Sequence, residues 1–496
     1  MTSVEDEVAT DAPADASADG PADAPADGPP EEGTGERQAV PWLRRLRGLV
    51  WPAVVGAIVL TGYCLYSVWQ WNSLTIKSWD LGIFTQVVER YAALSAPIVP
   101  IKGEGYNLLG DHFHPLLAVL GPVYAVFPHP FTLLVVQNVC FAVAAGIVTW
   151  SALRHLGPVS GVVVGLAFGA SWGLQFAVEA QFHEVALGIP LLAGSLAAVV
   201  ERRAWWAVVW AAPLVFVKED LGLTVVAIGG VLVLMRRWRP GLALIAWGCA
   251  WFAIAVLVVL PALNHEGAWA YGEQLDSTST LADHTMLLHP DKTLTVLLLV
   301  AATAGFVLRS PIGLVLLPTL GWRFLSDNEV YWGLPWHYNA ILMPIAFLAA
   351  VDGVSRAVAS PDRRWRTWGD MAPWVIGAAA VGFFFFAQAP LRVLGTAEAY
   401  ITNPRAATVE EILAIVPDDA SVVSDVALMN YLVGTGPVYW LGHDNPTPDY
   451  VVVGDGGGTP TEWGDALGVA QVLHPEADYE LALARDGYSV ARRTGS

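Results

Sequence analysis

Asp80 stands in Trp79-Asp80-Leu81-Gly82-Ile83-Phe84, where an apolar chain turns amphipathic. A carboxylate at such a surface can act as general base toward an incoming hydroxyl. The same residue type also caps helix N-termini, so a purely structural role competes with the chemical one. Gly110-Asp111-His112-Phe113-His114-Pro115 sets two histidines two positions apart. In an extended stretch before proline both face one side, which suits a metal ion or a phosphate. Gln181-Phe182-His183-Glu184 adds an imidazole and a carboxylate ahead of an apolar run. His112, His114, His183 and Glu184 thus form a possible donor set for a divalent cation, although a lone His-x-His is a weak pattern. The competing reading is interfacial histidine bonded to headgroups or backbone.

Lys218-Glu219-Asp220 interrupts the otherwise mostly apolar block 204–235. Each such residue costs about 3 kcal/mol at mid-bilayer, so the triplet belongs at a turn. Because both flanking runs are short, the turn is expected to sit recessed in a polar outer cavity. A plain hairpin turn is the alternative. Trp332-Gly333-Leu334-Pro335-Trp336-His337-Tyr338-Asn339 reads as an interfacial aromatic belt, with His337 at the mouth of the next apolar run. Cys64, Cys140 and Cys249 lie in apolar stretches without metal-binding spacing.

The elements that must position these residues are transmembrane. The 496 residues are 55% hydrophobic and 14% charged, with mean hydropathy +0.49, which excludes an ordinary soluble enzyme. The net charge of −19 is uneven: residues 1–40 carry 11 acids and one Arg, residues 396–496 carry 15 acids and four Arg, and 41–395 is near neutral. Apolar runs mark about eleven spans near 49–69, 131–153, 158–177, 185–200, 204–217, 221–235, 241–260, 293–308, 311–323, 338–355 and 373–391. Arginines fall on alternate connections: Arg44, Arg45 and Arg47; Arg154; Arg202 and Arg203; Arg236, Arg237 and Arg239; Arg309; Arg356, Arg363, Arg364 and Arg366. The positive-inside rule then places the N-terminus in the cytoplasm and the C-terminal region outside the plasma membrane. The chemistry-bearing motifs all fall in the outer connections, as do Asp283 and His284. Within the first outer loop, 70–130, Trp79–Ala93 reads as an interfacial helix and Phe113–Phe127 as a re-entrant or interfacial segment.

Three parts follow: a disordered acidic cytoplasmic tail (1–40), a transmembrane domain (41–395) and a small extracytoplasmic α/β domain (396–496). In the last, Ala407–Val416 and Glu462–Leu473 read as helices. Ser421–Val423, Val438–Leu441, Tyr450–Val453 and Tyr488–Arg492 read as strands. Gly454-Asp455-Gly456-Gly457-Gly458 lacks phosphate-binding spacing and reads as a flexible loop. The expected fold is therefore mainly α: a polytopic helical bundle with a small C-terminal α/β domain.

WDLGIFTQ (79–86), HFHPLLAVLGPVY (112–124), FHEVALGIPLL (182–192), VKEDLGL (217–223) and HYNAILMPIAFLAA (337–350) resemble, in this order, a bacterial family of multi-spanning membrane proteins. That family is defined by domain of unknown function 2079, and the resemblance covers about residues 50–455. The layout also resembles the C-type glycosyltransferases of membranes. That likeness implies polyprenyl-phosphate sugar donors, a catalytic acid in the first outer loop and an outer C-terminal domain. It implies Asp80 as general base, although the adjacent acidic pair found in many members is lacking here. It further implies Lys218, His337 or Arg323 near the donor phosphate, within a polar outer cavity that also takes in Glu219, Asp220 and Tyr338. No cofactor beyond the possible divalent cation is implied, and the partners are membrane lipid and a polyprenyl-phosphate sugar rather than nucleic acid. A transporter or flippase for a lipid-linked or envelope component is the rival class, and a non-catalytic scaffold is a third. The lack of duplicated halves, and charges gathered at outer helix ends, weigh toward the enzyme.

Overall fold

The computed structural model describes residues 48–269, 289–386, 389–434 and 436–495. The acidic segment 1–40, Arg44, Arg45, Arg47, Asp283 and His284 lie outside the described residues. The chain is mainly helical, with one small sheet near its C-terminal end.

The helices are α1 (Val50–Asn72), α2 (Trp79–Ala92), α3 (Phe131–Leu156), α4 (Pro158–Gly169), α5 (Trp172–Glu179), α6 (Val185–Val200), α7 (Ala204–Ala211), α8 (Leu221–Leu234), α9 (Trp238–Ile254), α10 (Pro290–Ala302), α11 (Leu316–Leu325), α12 (Leu342–Val358) and α13 (Arg363–Phe386). Six segments among the described residues are long and apolar enough to cross a membrane: Val50–Asn72, Phe131–Leu156, Pro158–Glu179, Trp238–Leu263, His337–Val358 and Arg363–Phe386. These coincide with six of the eleven expected spans. The other five expected spans correspond to shorter helices, α6, α7, α8, α10 and α11 with their 3-10 extensions. Helix α13 begins ten residues before the expected 373, taking Arg363, Arg364 and Arg366 into its first turns. Their long stems can lie along the apolar helix while the guanidinium groups reach polar surroundings, so arginine does not mark the helix boundary here.

Burial separates central from peripheral helices. The α12 segment is 83% buried, whereas Trp238–Leu263 is 17% buried and carries exposed Leu257 and Val258. An apolar helix exposed on most of its surface is at home in lipid. Helices α8 and α9 touch backbone to backbone. A Cβ at Gly229 would lie 2.7 Å from the Gly241 carbonyl oxygen, so even alanine would force them apart.

The expected helix within residues 70–130 forms as α2. Pro115–Leu120 is 3-10 and continues into a short α-turn, Gly121–Val126, too short to span. Beyond α13 come α14 (Ala406–Ile415), strands β1 (Val422–Ser424), β2 (Val438–Trp440) and β3 (Tyr450–Gly454), helix α15 (Ala466–Leu473), and strands β4 (Tyr479–Arg485) and β5 (Tyr488–Arg493). The sheet order is β2-β1-β3-β5-β4, with β1 parallel to both β2 and β3, and β5 antiparallel to β3 and β4. Strand β4 is absent from the sequence reading because it is an edge strand whose Glu480 and Arg485 face water.

This sheet region rests on α2. The Asn430 side-chain amide donates to the carbonyls of Ile76 (3.2 Å) and Ser78 (2.9 Å), and that of Gln86 donates to the Val438 carbonyl (2.9 Å). Trp79 packs on Trp440 with ring centroids 4.8 Å apart. Gly82 accommodates the contact, since a Cβ there would sit 3.1 Å from Asn430 Oδ1.

Candidate active site

Ser78 occupies the cap position of α2, and Asp80 lies one residue inside its first turn. Its carboxylate goes elsewhere: Oδ2 is 3.1 Å from His183 Nε2. Gln181 holds both partners in place. With a left-handed φ of +65° it turns the chain sharply after α5, its Oε1 accepts from the Ser78 amide (2.7 Å), and its carbonyl lies 3.2 Å from His183 Nδ1. The His183 ring stacks on His337, centroids 3.6 Å apart and 26° from parallel. Trp336, immediately before it, has φ +72° and ψ −178°, a region nearly reserved for glycine and costing about 1–3 kcal/mol. Such strain persists where surrounding contacts over-determine the backbone.

The next residue along, Glu184, pairs with Lys218 Nζ at 2.8 Å. Beside Lys218, Glu219 accepts from the Phe113 amide (3.0 Å) through Oε2 and lies 2.8 Å from His112 Nδ1 through Oε1. Because His183-Glu184 and Lys218-Glu219 are consecutive, one unbroken ladder alternating carboxylate and nitrogen base runs from Asp80 through both dipeptides to His112. It joins four segments that are distant in sequence. The ladder borders a cavity of about 200 Å³ lined by Asp80, His112, His183, Glu184, Lys218, Glu219, Asp220, His337 and Tyr338. Phe84, Leu223, Phe252, Trp269, Trp322 and Tyr331 supply its apolar and aromatic walls.

Burial in this recess would raise every carboxyl, and the partners decide which stay ionised. Asp80 faces the cavity with 42% of its side chain accessible, yet protein surrounds it. Burial pushes its carboxyl up; the charge and hydrogen bond of His183, with Lys218 and Lys102 beyond, outweigh this and hold it below the usual range. Glu184 also overcomes burial, through Lys218, His112 and His183, and is held at about 2. Glu219 reaches about 2 against burial through His112 and Lys218. Burial and Lys218 push His112 down, but Glu219 wins and raises it. Lys218 is raised despite burial by Glu184, Asp220 and Glu219. Asp220 goes the other way: burial lifts it to about 6 against the pull of Lys218.

The residues read as chemical from sequence therefore divide. Asp80, His112, His183, Glu184, Lys218, Glu219, Asp220, His337 and Tyr338 meet around one cavity. His114 sits behind Phe84, ring centroids 6.0 Å apart, and burial lowers its imidazole to about 4. Arg323 is fully buried and lies behind the loop rather than along the cavity wall. It donates to the carbonyls of Tyr331 (2.7 Å), Gly333 (3.3 Å) and Tyr338 (3.4 Å) and to Asn339 Oδ1 (2.8 Å), clamping the loop that carries His337. The four residues considered for a divalent cation do not fit one as placed. His112 and Glu184 face Glu219 and Lys218, an ammonium stands inside the donor set, and the described residues contain no group of three or more His, Cys, Asp or Glu arranged around a metal. Phe252, Trp269, Trp322, Ser326 and Tyr331 also line the cavity. The sequence reading did not single them out, because an aromatic or apolar residue in or beside a membrane segment carries no local mark of facing a cavity.

The same overall arrangement occurs in solved structures. ArnT from Cupriavidus metallidurans bound to undecaprenyl phosphate superposes with a TM-score of 0.54 at 12% identity, covering 89% of this chain and 97% of ArnT. Its apo state gives 0.49 at 13% identity over the same shares. The Archaeoglobus fulgidus oligosaccharyltransferase tethered with an acceptor peptide gives 0.35 at 10%, covering 89% of this chain and 74% of that one. The fold likeness rests on the first of these, and at such identity it extends to the fold alone. The expected resemblance to C-type glycosyltransferases holds at that level. No curated protein sequence matches the chain. A family model described as "Predicted membrane protein (DUF2079)" matches residues 70–490. With its several apolar spans, the chain is a multi-pass membrane protein and belongs to that family.

Proposed function

We propose that this protein is an integral membrane glycosyltransferase that takes its sugar from a polyprenyl-phosphate donor at the outer membrane face. The observation that carries the reading is the cavity into which four separate segments deliver Asp80, His183, Glu184, Lys218 and His112. The fold shared with ArnT bound to undecaprenyl phosphate supports a lipid-phosphate partner. On this reading the arginine-rich connections are cytoplasmic, and residues 396–496 form an extracytoplasmic domain of a plasma-membrane protein with about eleven spans. The tail 1–40 lies inside.

Transfer needs a base for the acceptor hydroxyl and stabilisation of the departing phosphate. Asp80 suits the first task because His183 holds it ionised and oriented while its carboxylate stays accessible from the cavity. The acceptor oxygen bonds to the sugar's anomeric carbon as its proton passes to Asp80, and the bond from that carbon to the phosphate oxygen breaks. For the second task Lys218 supplies positive potential, although Glu184 occupies it directly, and His337 offers two ring nitrogens without partners. No step in this scheme runs through a metal.

The test is transfer from polyprenyl-phosphate-linked hexoses in liposomes containing the purified protein. Asp80→Asn is nearly isosteric and should lower the rate by about 10²–10⁴-fold with an unchanged melting temperature. A folded, fully active Asp80→Asn variant would remove the central residue of this function.

A further inference from the structure

Three of the cavity's four carboxylates have partners: Asp80 with His183, Glu184 with Lys218, and Glu219 with His112 and the Phe113 amide. Asp220 differs. Its Oδ1 is buried with no hydrogen-bond partner, and although it stands at the cap position of α8 its side chain caps nothing. Across from it His337, only 7% exposed, has both ring nitrogens buried and unpartnered. The two residues share more than the main cavity. A second chamber of about 20 Å³ has mostly apolar walls, among them Val185, Leu221 and Ile341, and Asp220, His337 and Lys218 also border it. About 10–15 Å³ of such space admits one water, provided that polar groups hold it. Two unpartnered titratable groups bordering one water-sized chamber have the makings of a proton path.

We propose that Asp220 is a second catalytic carboxyl, a general acid that gives its proton to the departing lipid phosphate, with His337 positioned across the one-water chamber to restore it. The proposal rests on the glycosyl-transfer reading and adds the proton donor that reading lacks. As the bond between the anomeric carbon and the phosphate oxygen breaks, its electron pair goes to that oxygen, which takes the Asp220 proton. The acceptor's proton meanwhile goes to Asp80. A proton from solvent then reaches Asp220 by way of His337 and the chamber water, each taking one proton as it hands one on, and Asp80 releases its own to solvent, so one proton passes in net from acceptor to lipid phosphate. The division of labour follows the pairing: the carboxylate beside an imidazole is kept ionised to accept, and the one without a partner is free to donate.

The groups facing Asp220 are Lys218 and Glu219 of its own turn, His112 of the first outer loop, Glu184 before α6, and His337 before α12. Burial, with Glu219 and Glu184, outweighs Lys218 and His112 and puts its proton loss at about 6. A protonated Asp220 donates to a phosphate; an ionised one repels it. Affinity for a lipid phosphate must therefore fall as pH rises through about 6.

Undecaprenyl phosphate is the probe, titrated onto the full-length protein in nanodiscs across pH. Wild type and Asp220→Asn should bind within about twofold of each other near pH 5, and the variant should bind about tenfold more tightly near pH 8, where it lacks the negative charge. Turnover of the variant should nonetheless fall by about 10²-fold, and more on lipid monophosphate donors than on lipid pyrophosphate donors, which leave more readily unprotonated. Asp220→Ser, which leaves room for a second water, gives the same readout if the amide does not fold. Binding curves that stay parallel from pH 5 to 8 overturn the general acid and leave the proposed function standing. A wild type that binds no undecaprenyl phosphate at any pH overturns the proposed function itself, and the acid with it.

Discussion

The two ends of the helical bundle solve the same electrostatic problem differently. At the arginine-bearing end, Glu201 binds Arg154 and His155 at 2.9 Å each, and Asp352 binds Arg356 (2.7 Å) and Ser310 (2.6 Å) with Arg202 at 4.0 Å. The arginine side chains there are about half exposed, at 39–52%, although their carboxylate partners Glu201 and Asp352 are enclosed. At the cavity end the carboxylates pair with Lys218 and with the imidazoles of His112 and His183, and Glu184, Glu219 and His183 are nearly fully enclosed. Arginine keeps its charge under any physiological condition, whereas histidine and lysine respond to their surroundings. Where the cation stays in contact with water, the pair ties helix ends together at little cost. Enclosed pairs seldom repay their desolvation, so their presence calls for a role other than stability.

Removing one member of an enclosed pair should have the largest effect. Glu184→Ala takes from Lys218 its direct ion-pair partner, leaving only Glu219 and Asp220 nearby, and should cost about 3 kcal/mol in denaturant unfolding in detergent. A loss below about 1 kcal/mol would mean that cavity water already solvates Lys218 and that the two ends are alike. Acid should act next. Glu184 and Glu219 titrate at about 2 in the folded protein, against about 4.3 in an unfolded chain. Folded values below unfolded ones contribute stability that is complete above about pH 5 and disappears as pH falls toward 2. The melting temperature should drop over that window and drop less in a Glu184→Gln, Glu219→Gln double variant; equal drops would locate the acid sensitivity elsewhere. The smallest effect belongs to the other end. Arg154→Ala should cost no more than about 1 kcal/mol and should be masked by salt, as expected of a half-exposed ion pair.

Much of this contrast was visible in the sequence, because charge inside an apolar chain is conspicuous. Lys218-Glu219-Asp220 could be placed at a recessed turn from the cost of burying it, and the arginines marked off one set of connections from the other. Pairing was out of reach. Glu219 meets His112 across 107 residues, and nothing local distinguishes a carboxylate that will find an imidazole from one, like Asp220, that will not. Arg323 misled for the same reason. Beside an aromatic-rich outer loop it resembles a phosphate ligand, yet its donors are taken by that loop's own carbonyls. The cap expected of Asp80 failed by two residues: Ser78 occupies the position, leaving the carboxylate for His183. Helices such as α6 and α8 were legible as apolar runs, but at 16 and 14 residues their lengths alone do not say how they sit in a bilayer.

The hold of the sheet region on α2 has a consequence for how the molecule is made. Asn430 grips the carbonyls of Ile76 and Ser78 across more than 350 residues, and Gln86 reaches Val438 across a similar interval. At roughly 5–20 residues per second, ribosomes deliver Asn430 about 20–70 s after Ser78 has emerged. For that time the segment bearing Asp80 has no partner for its leading carbonyls, however completely the earlier helices have inserted. A nascent or truncated chain would hold its cavity residues without the support that sets their spacing. On the proposed function, transfer would then begin only once Asn430 and Val438 have docked, making that region a checkpoint on synthesis.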